Sequence, residues 1–174
     1  MKARTILVAI DFSESSRGAL KTALSIAQWS AGRLTLLHVL DGYPYETVYS
    51  GSRGLRLRAE QRAHVDAVNE RLLALIPART LSRRDVDVVT VTGKPHQQIL
   101  ALAEKRGADL IVMGLPRRGR IDELLAGSTV QRVVRGATRA VLVVPEPPAR
   151  KTGRSKSQTK AVRELLAAGA PLNY

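Results

Sequence analysis

The chain has 174 residues, 44% of them apolar, enough for one globular domain with a proper core. Its 28 Lys and Arg against 15 Asp and Glu give a formal charge of +13. No apolar run approaches the roughly 20 residues of a bilayer span, and the lack of cysteine excludes disulfide scaffolds, thiol catalysis and Cys-ligated zinc. Met1-Lys2-Ala3-Arg4 leads straight into a strand-like segment without a leader pattern, so a soluble cytoplasmic domain is expected.

Thr5 to Ile10 is a short apolar run rich in β-branched residues and stopped by Asp11, the signature of a strand buried on both faces. Ser13-Glu14-Ser15-Ser16 offers N-caps to a helix. Its apolar positions, Ala19, Leu20, Ala23, Leu24, Ile26 and Ala27, keep helical spacing up to Gly32. Leu34 to Leu40 is a second strand, broken by Asp41-Gly42-Tyr43-Pro44. A long helical stretch follows, with Ala63, Val65, Val68, Leu72, Leu73 and Ile76 as its apolar face before Pro77.

Asp85 to Val91 alternates as a third strand. Gly93-Lys94-Pro95 then turns into a helix carrying Ile99, Leu100, Leu102 and Ala103, with Pro95 suited to its first turn. Asp109 to Met113 is a fourth strand ending at Gly114. After a loop of Gly and Arg comes a helix around Val130, Val133 and Val134, and Ala140 to Val144 is the fifth strand. Strands alternating with helices imply a doubly wound α/β domain with a five-stranded parallel sheet and right-handed crossovers. Ligands of such sheets bind beyond the carboxyl ends of the strands, where Asp11, Asp41 and Gly114 fall.

The boundaries expected are a domain over 1–145 and a basic, flexible tail over 146–174, because Pro147-Pro148 opens a stretch without apolar period. The charge is concentrated in two places. Residues 114–139 carry six Arg against Asp122 and Glu123, and the tail carries six basic residues against Glu146 and Glu164. Each segment is therefore +4.

The segment richest in chemistry runs from Met113 to Thr129. Glycine lets a backbone approach a phosphate closely, and Gly127-Ser128-Thr129 opens a helix whose free N–H groups favour anions. These glycines read equally as plain turn and cap residues. Gly93-Lys94 lacks the Ser or Thr of a P-loop. His38, His64 and His96 are too dispersed for a metal site, and no paired carboxylate or Ser-His-Asp set is evident. Tyr43, Tyr45 and Tyr49 beside Arg53, Arg56 and Arg58 allow a base-stacking surface, with plain packing the preferred reading.

Taken in order, Ala9-Ile10-Asp11-Phe12-Ser13, Leu37-His38-Val39-Leu40-Asp41, Ala108 to Gly114, Glu123 to Thr129 and Ala140 to Pro145 resemble the universal stress protein family. The resemblance covers residues 3–145 and implies the adenine nucleotide alpha hydrolase-like fold. It implies a stress-response regulator or sensor that binds an adenine nucleotide, ATP with or without Mg2+, and hydrolyses it at most slowly. It also implies a homodimer formed through the last strand. Carried across, Asp11 lies near the ribose or adenine, Val39 offers its backbone to the adenine edge, and Met113 lines the base pocket.

The family's glycine pattern for phosphate begins at Gly114 and ends at Gly127-Ser128, next to Thr129, but its middle glycine is Arg117. A side chain there obstructs the loop, or else Gly119 supplies the freedom while arginines bind phosphate oxygens. Arg117→Gly separates the two, strengthening ATP binding in the first case and weakening it in the second. The alternative from another class is an interaction module without nucleotide, engaging an acidic partner or nucleic acid through the Arg-rich loop and tail. Nucleic acid is the less favoured partner, and no membrane is expected.

Overall fold

The computed structural model of the chain describes residues 3–41, 52–77, 85–116 and 129–146, with 52–59 as backbone only. Five strands appear: β1 (Thr5–Ala9), β2 (Arg33–Leu40), β3 (Val86–Thr92), β4 (Leu110–Leu115) and β5 (Ala140–Pro145). Among the described residues four helices connect them: α1 (Glu14–Ser30), α2 (Ser52–Ala74), α3 (Pro95–Lys105) and α4 (Thr129–Gly136). Every strand pair is parallel, and the order across the sheet is β3-β2-β1-β4-β5. The chain winds outward from β1 to β3 and then crosses to β4. The strand order therefore reverses between β1 and β4.

Alternation along the strands divides the core in two. Ile6, Val8, Leu34, Leu36, Leu110 and Val112 meet α1 and α2 on one face. Leu7, Leu37, Ile111 and Met113 meet α3 and α4 on the other. Because side chains repeat every second residue, a one-residue slip would exchange these sets, which fixes the register. The register pairs Ile6 with Leu34 and Leu110, and Leu110 with Ala140.

α1 begins where the sequence predicts. Ser13 is its N-cap, with its hydroxyl accepting from Ser16 N–H at 3.2 Å. Its buried stripe is made of Ala19, Ala23 and Ala27 beside Leu20 and Leu24. The small alanines let the helix axis come close to the sheet. The stop differs from expectation: Ala31, not Gly32, takes the left-handed conformation at φ 50°. Gly32 is required for closeness instead, since a Cβ there would stand 2.7 Å from the Ala3 carbonyl oxygen.

α2 also departs from its expected apolar face. Val68 and Leu72 are buried, but Ala63 and Leu73 are exposed. The cause is the helical period: Val68 and Leu72 stand one turn apart on the stripe that faces the core, and at about 100° per residue Ala63 and Leu73 fall outside it. α3 starts at Pro95 as predicted, with Lys94 as an N-cap that makes no side-chain hydrogen bond. The third strand begins one residue later than read, at Val86.

Candidate functional site

A cleft of about 400 Å³ opens beyond the carboxyl ends of β1, β2 and β4, at the reversal of strand order. Its floor is apolar, formed by Ala9, Leu37, Val39 and Met113 from the sheet and by Ile99 and Val130 from α3 and α4. Asp11 and Asp41 stand at the rim. The N-terminal turns of α3 and α4 face it through Pro95 and Thr129. Positive dipole ends and free N–H groups there favour an anionic group, while the floor favours an apolar ring.

The cleft thus gathers Asp11, Val39, Met113, Gly114 and Thr129 from four separate segments. Arg117, Gly119, Gly127 and Ser128 lie outside the described residues, as do the Tyr43–Tyr49 cluster and the basic tail. Ser16, Leu37, Pro95, Ile99 and Val130 also line the cleft and were not singled out from sequence. A signal for two of them was available. Leu37 shares a face with Val39 by strand alternation, and Pro95 opens a helix toward the crevice.

Val39 is placed by the way β1 ends. The last bond between β1 and β2 runs from Ile10 N–H to the Leu37 carbonyl at 2.8 Å. Two residues further along β2, Val39 turns its backbone N–H and C=O to that same side, past the end of β1. Its neighbour Leu40 turns the other way and accepts from Gly93 N–H at 3.2 Å. Backbone donor and acceptor of Val39 therefore face the crevice.

Gly114 has a reason the sequence does not display. A Cβ built on it would lie 2.3 Å from the Ser15 carbonyl carbon and 2.5 Å from Ser16 N. The close approach that requires glycine is thus between the end of β4 and the first turn of α1. This glycine is a packing requirement of the fold and by itself says nothing about phosphate.

Asp11 sits on the bend between β1 and α1. Its Oδ1 accepts from Ser13 N–H at 3.0 Å and from the Ser13 hydroxyl at 2.5 Å. Partial burial works to raise its pKa, but hydrogen bonds from Ser13 and Ser16 outweigh that and hold it below the ordinary carboxylate value. The carboxylate is therefore an acceptor at neutral pH, suited to hydroxyl or amino groups rather than to phosphate. Among the described residues no cluster of His, Asp and Glu can hold a metal ion, and no helix is long and apolar enough to cross a membrane.

Fold and crevice together define a doubly wound α/β protein with a ligand cleft at its topological switch point. The family model of the universal stress protein family matches residues 2–145, and the chain belongs to that family. It is 31% identical over 144 residues to a universal stress protein of Thermus aquaticus, covering 81% of this chain and 98% of that one. To Universal stress protein MJ0577 of Methanocaldococcus jannaschii it is 28% identical over 153 residues, 81% of this chain and 94% of the relative. The solved structure of universal stress protein UspA from Lactobacillus plantarum superposes with a TM-score of 0.59 at 28% identity, covering 83% and 99% of the two chains.

Proposed function

We propose that this universal stress protein binds an adenine nucleotide, ATP with or without Mg2+, in the carboxyl-end cleft and acts as a regulator or sensor. The observation that carries this reading is the form of the cleft. An apolar slot of about 400 Å³ is flanked by an outward-facing Val39 backbone, a fixed Asp11 carboxylate and two helix N-termini. The volume lies within the ordinary range for small-molecule sites. Val39 would pair with the adenine edge, Met113 would cover a face of the base, and Asp11 would accept from a ribose hydroxyl. The turn into α4 at Thr129 would face the phosphates, with Gly127, Ser128, Gly119 and Arg117 as the remaining contributors that the family resemblance implies.

The Ser13 and Ser16 hydroxyls beside Asp11 are tied into the cap of α1, and turnover of the nucleotide would be slow and incidental, as the family resemblance implies. β5 is an edge strand whose Val141 to Val144 are half-buried, and pairing with a second copy would complete it. The domain would end with β5, leaving 146–174 as a basic appendage. Mass spectrometry of small molecules released from freshly purified, denatured protein tests the reading. Adenine nucleotide near one per chain is the expected result. None released, with no thermal shift in millimolar Mg-ATP, would overturn it.

A further inference from the structure

Asp11 is held by its own helix turn, but the backbone that carries it is fixed from elsewhere. On its N-terminal side Ile10 donates its N–H to Leu37. The Ile10 carbonyl lies 2.7 Å from His38 Nδ1. A carbonyl only accepts, so the His38 proton sits on Nδ1. On the C-terminal side Phe12 adopts φ 64°, a left-handed conformation rare for a bulky residue and stable only where its surroundings enforce it.

Those surroundings include one ring and one cation. The Phe12 ring is 5.0 Å from the His38 ring, tilted by 50°. The Arg71 guanidinium carbon stands 4.3 Å from the centre of the same ring. Both contacts have the geometry of attractive aromatic and cation–π pairs. His38 comes from β2 and Arg71 from α2, and neither residue lines the cleft. Phe12 is thus gripped on the side of the sheet away from the crevice, while Asp11 beside it stands at the crevice rim.

We propose that His38, through its bond to the Ile10 carbonyl, and Arg71, over the Phe12 ring, are positioning residues that lock the β1–α1 bend and so set the aim of Asp11 toward a bound nucleoside. This rests on the nucleotide reading above. If Phe12 relaxed to negative φ, the Asp11 backbone and the Ser13 cap would turn with it, and part of the binding free energy would go into restoring the bend. The clamp also gives α2 an influence on a site it does not touch.

The test compares His38→Leu, His38→Asn and Arg71→Met in the full chain. Each is measured for ATP affinity by calorimetry, for the Asp11 carboxyl titration by carbon-detected NMR, and for folding by circular dichroism. Asparagine retains an amide donor near the position of Nδ1, and leucine does not. His38→Leu and Arg71→Met should weaken ATP about tenfold and raise the Asp11 titration toward its ordinary value, with His38→Asn staying within about twofold of wild type.

Equal losses in the leucine and asparagine variants, or no change in affinity and titration, would mean that the rings only pack and would overturn the clamp. If wild type binds no ATP, the nucleotide reading falls alone. The Asp11 titration then still decides the clamp: movement in His38→Leu with retention in His38→Asn supports it, and no movement overturns it. Should His38→Leu fail to fold, Arg71→Met against Arg71→Lys, which keeps a cation for the Phe12 ring, carries the same comparison: loss in the first with retention in the second supports the clamp, and equal behaviour overturns it.

Discussion

The sheet carries a cleft at each end, and the two are of similar size. The amino-end cleft, about 510 Å³, is lined by Thr5, Arg33, Thr35, Asp85, Asp87, Lys105 and Arg106. The carboxyl-end cleft is about 400 Å³ and mainly apolar. The contrast follows from chain direction. Helices of a doubly wound fold run antiparallel to the strands, so their N-termini gather at the carboxyl end and their C-termini at the amino end. Lys105 in the last turn of α3, with Arg106 following, complements a negative helix end. Arg106 is already paired with Asp87 at 2.7 Å. Volume alone does not mark a binding site. An apolar floor beneath aligned helix N-termini does.

The largest effect expected at the carboxyl end comes from Gly114→Ala. Its new methyl group would overlap the backbone of Ser15 and Ser16, so β4 and α1 must separate. A stability loss of about 3 kcal/mol should appear as a lowered urea midpoint. An unchanged midpoint would show that the approach of β4 to α1 is not needed. Next in size, Asp11→Ala should weaken ATP about tenfold by calorimetry, roughly 1.4 kcal/mol, whereas Asp87→Ala at the other end leaves affinity unchanged. Equal losses from both would erase the distinction between the two ends.

Smaller effects sharpen the same contrast. The Arg106–Asp87 pair has side chains 42% and 50% exposed, so Asp87→Ala should cost only about 0.5 kcal/mol in denaturant titration. The smallest effect is pH-dependent. Asp11 has a lower pKa folded than unfolded, so its ionised form adds stability above about pH 4 and loses it as pH falls through the folded value. The calorimetric Tm difference between wild type and Asp11→Asn should therefore shrink on acidification. A difference that grew instead would give the shift the opposite sign.

Much of this was legible in the sequence because local patterns and global fold agree. Apolar runs marked all five strands and Ser13 and Pro95 marked helix starts, whereas Asp11, Val39, Met113, Gly114 and Thr129, which line one cleft, were brought together in the sequence by the family resemblance. What stayed hidden depends on tertiary contact. Gly114 reads as a phosphate-loop residue until the backbone of α1 is seen against it. Phe12 carries no local signal for positive φ, since its conformation depends on His38 and Arg71 from other elements. The exposed Ala63 and Leu73 are apolar but lie off the Val68–Leu72 stripe of α2, and which stripe faces the sheet is set by the packing of the helix.

The most direct test of the account is an ATP titration followed by amide NMR on the full chain. Binding at the carboxyl end predicts saturable shifts concentrated at Asp11, Val39, Met113 and Thr129, with Thr5, Arg33, Asp87 and Arg106 unmoved. Shifts centred on the amino-end residues, or none at millimolar ATP, would contradict it.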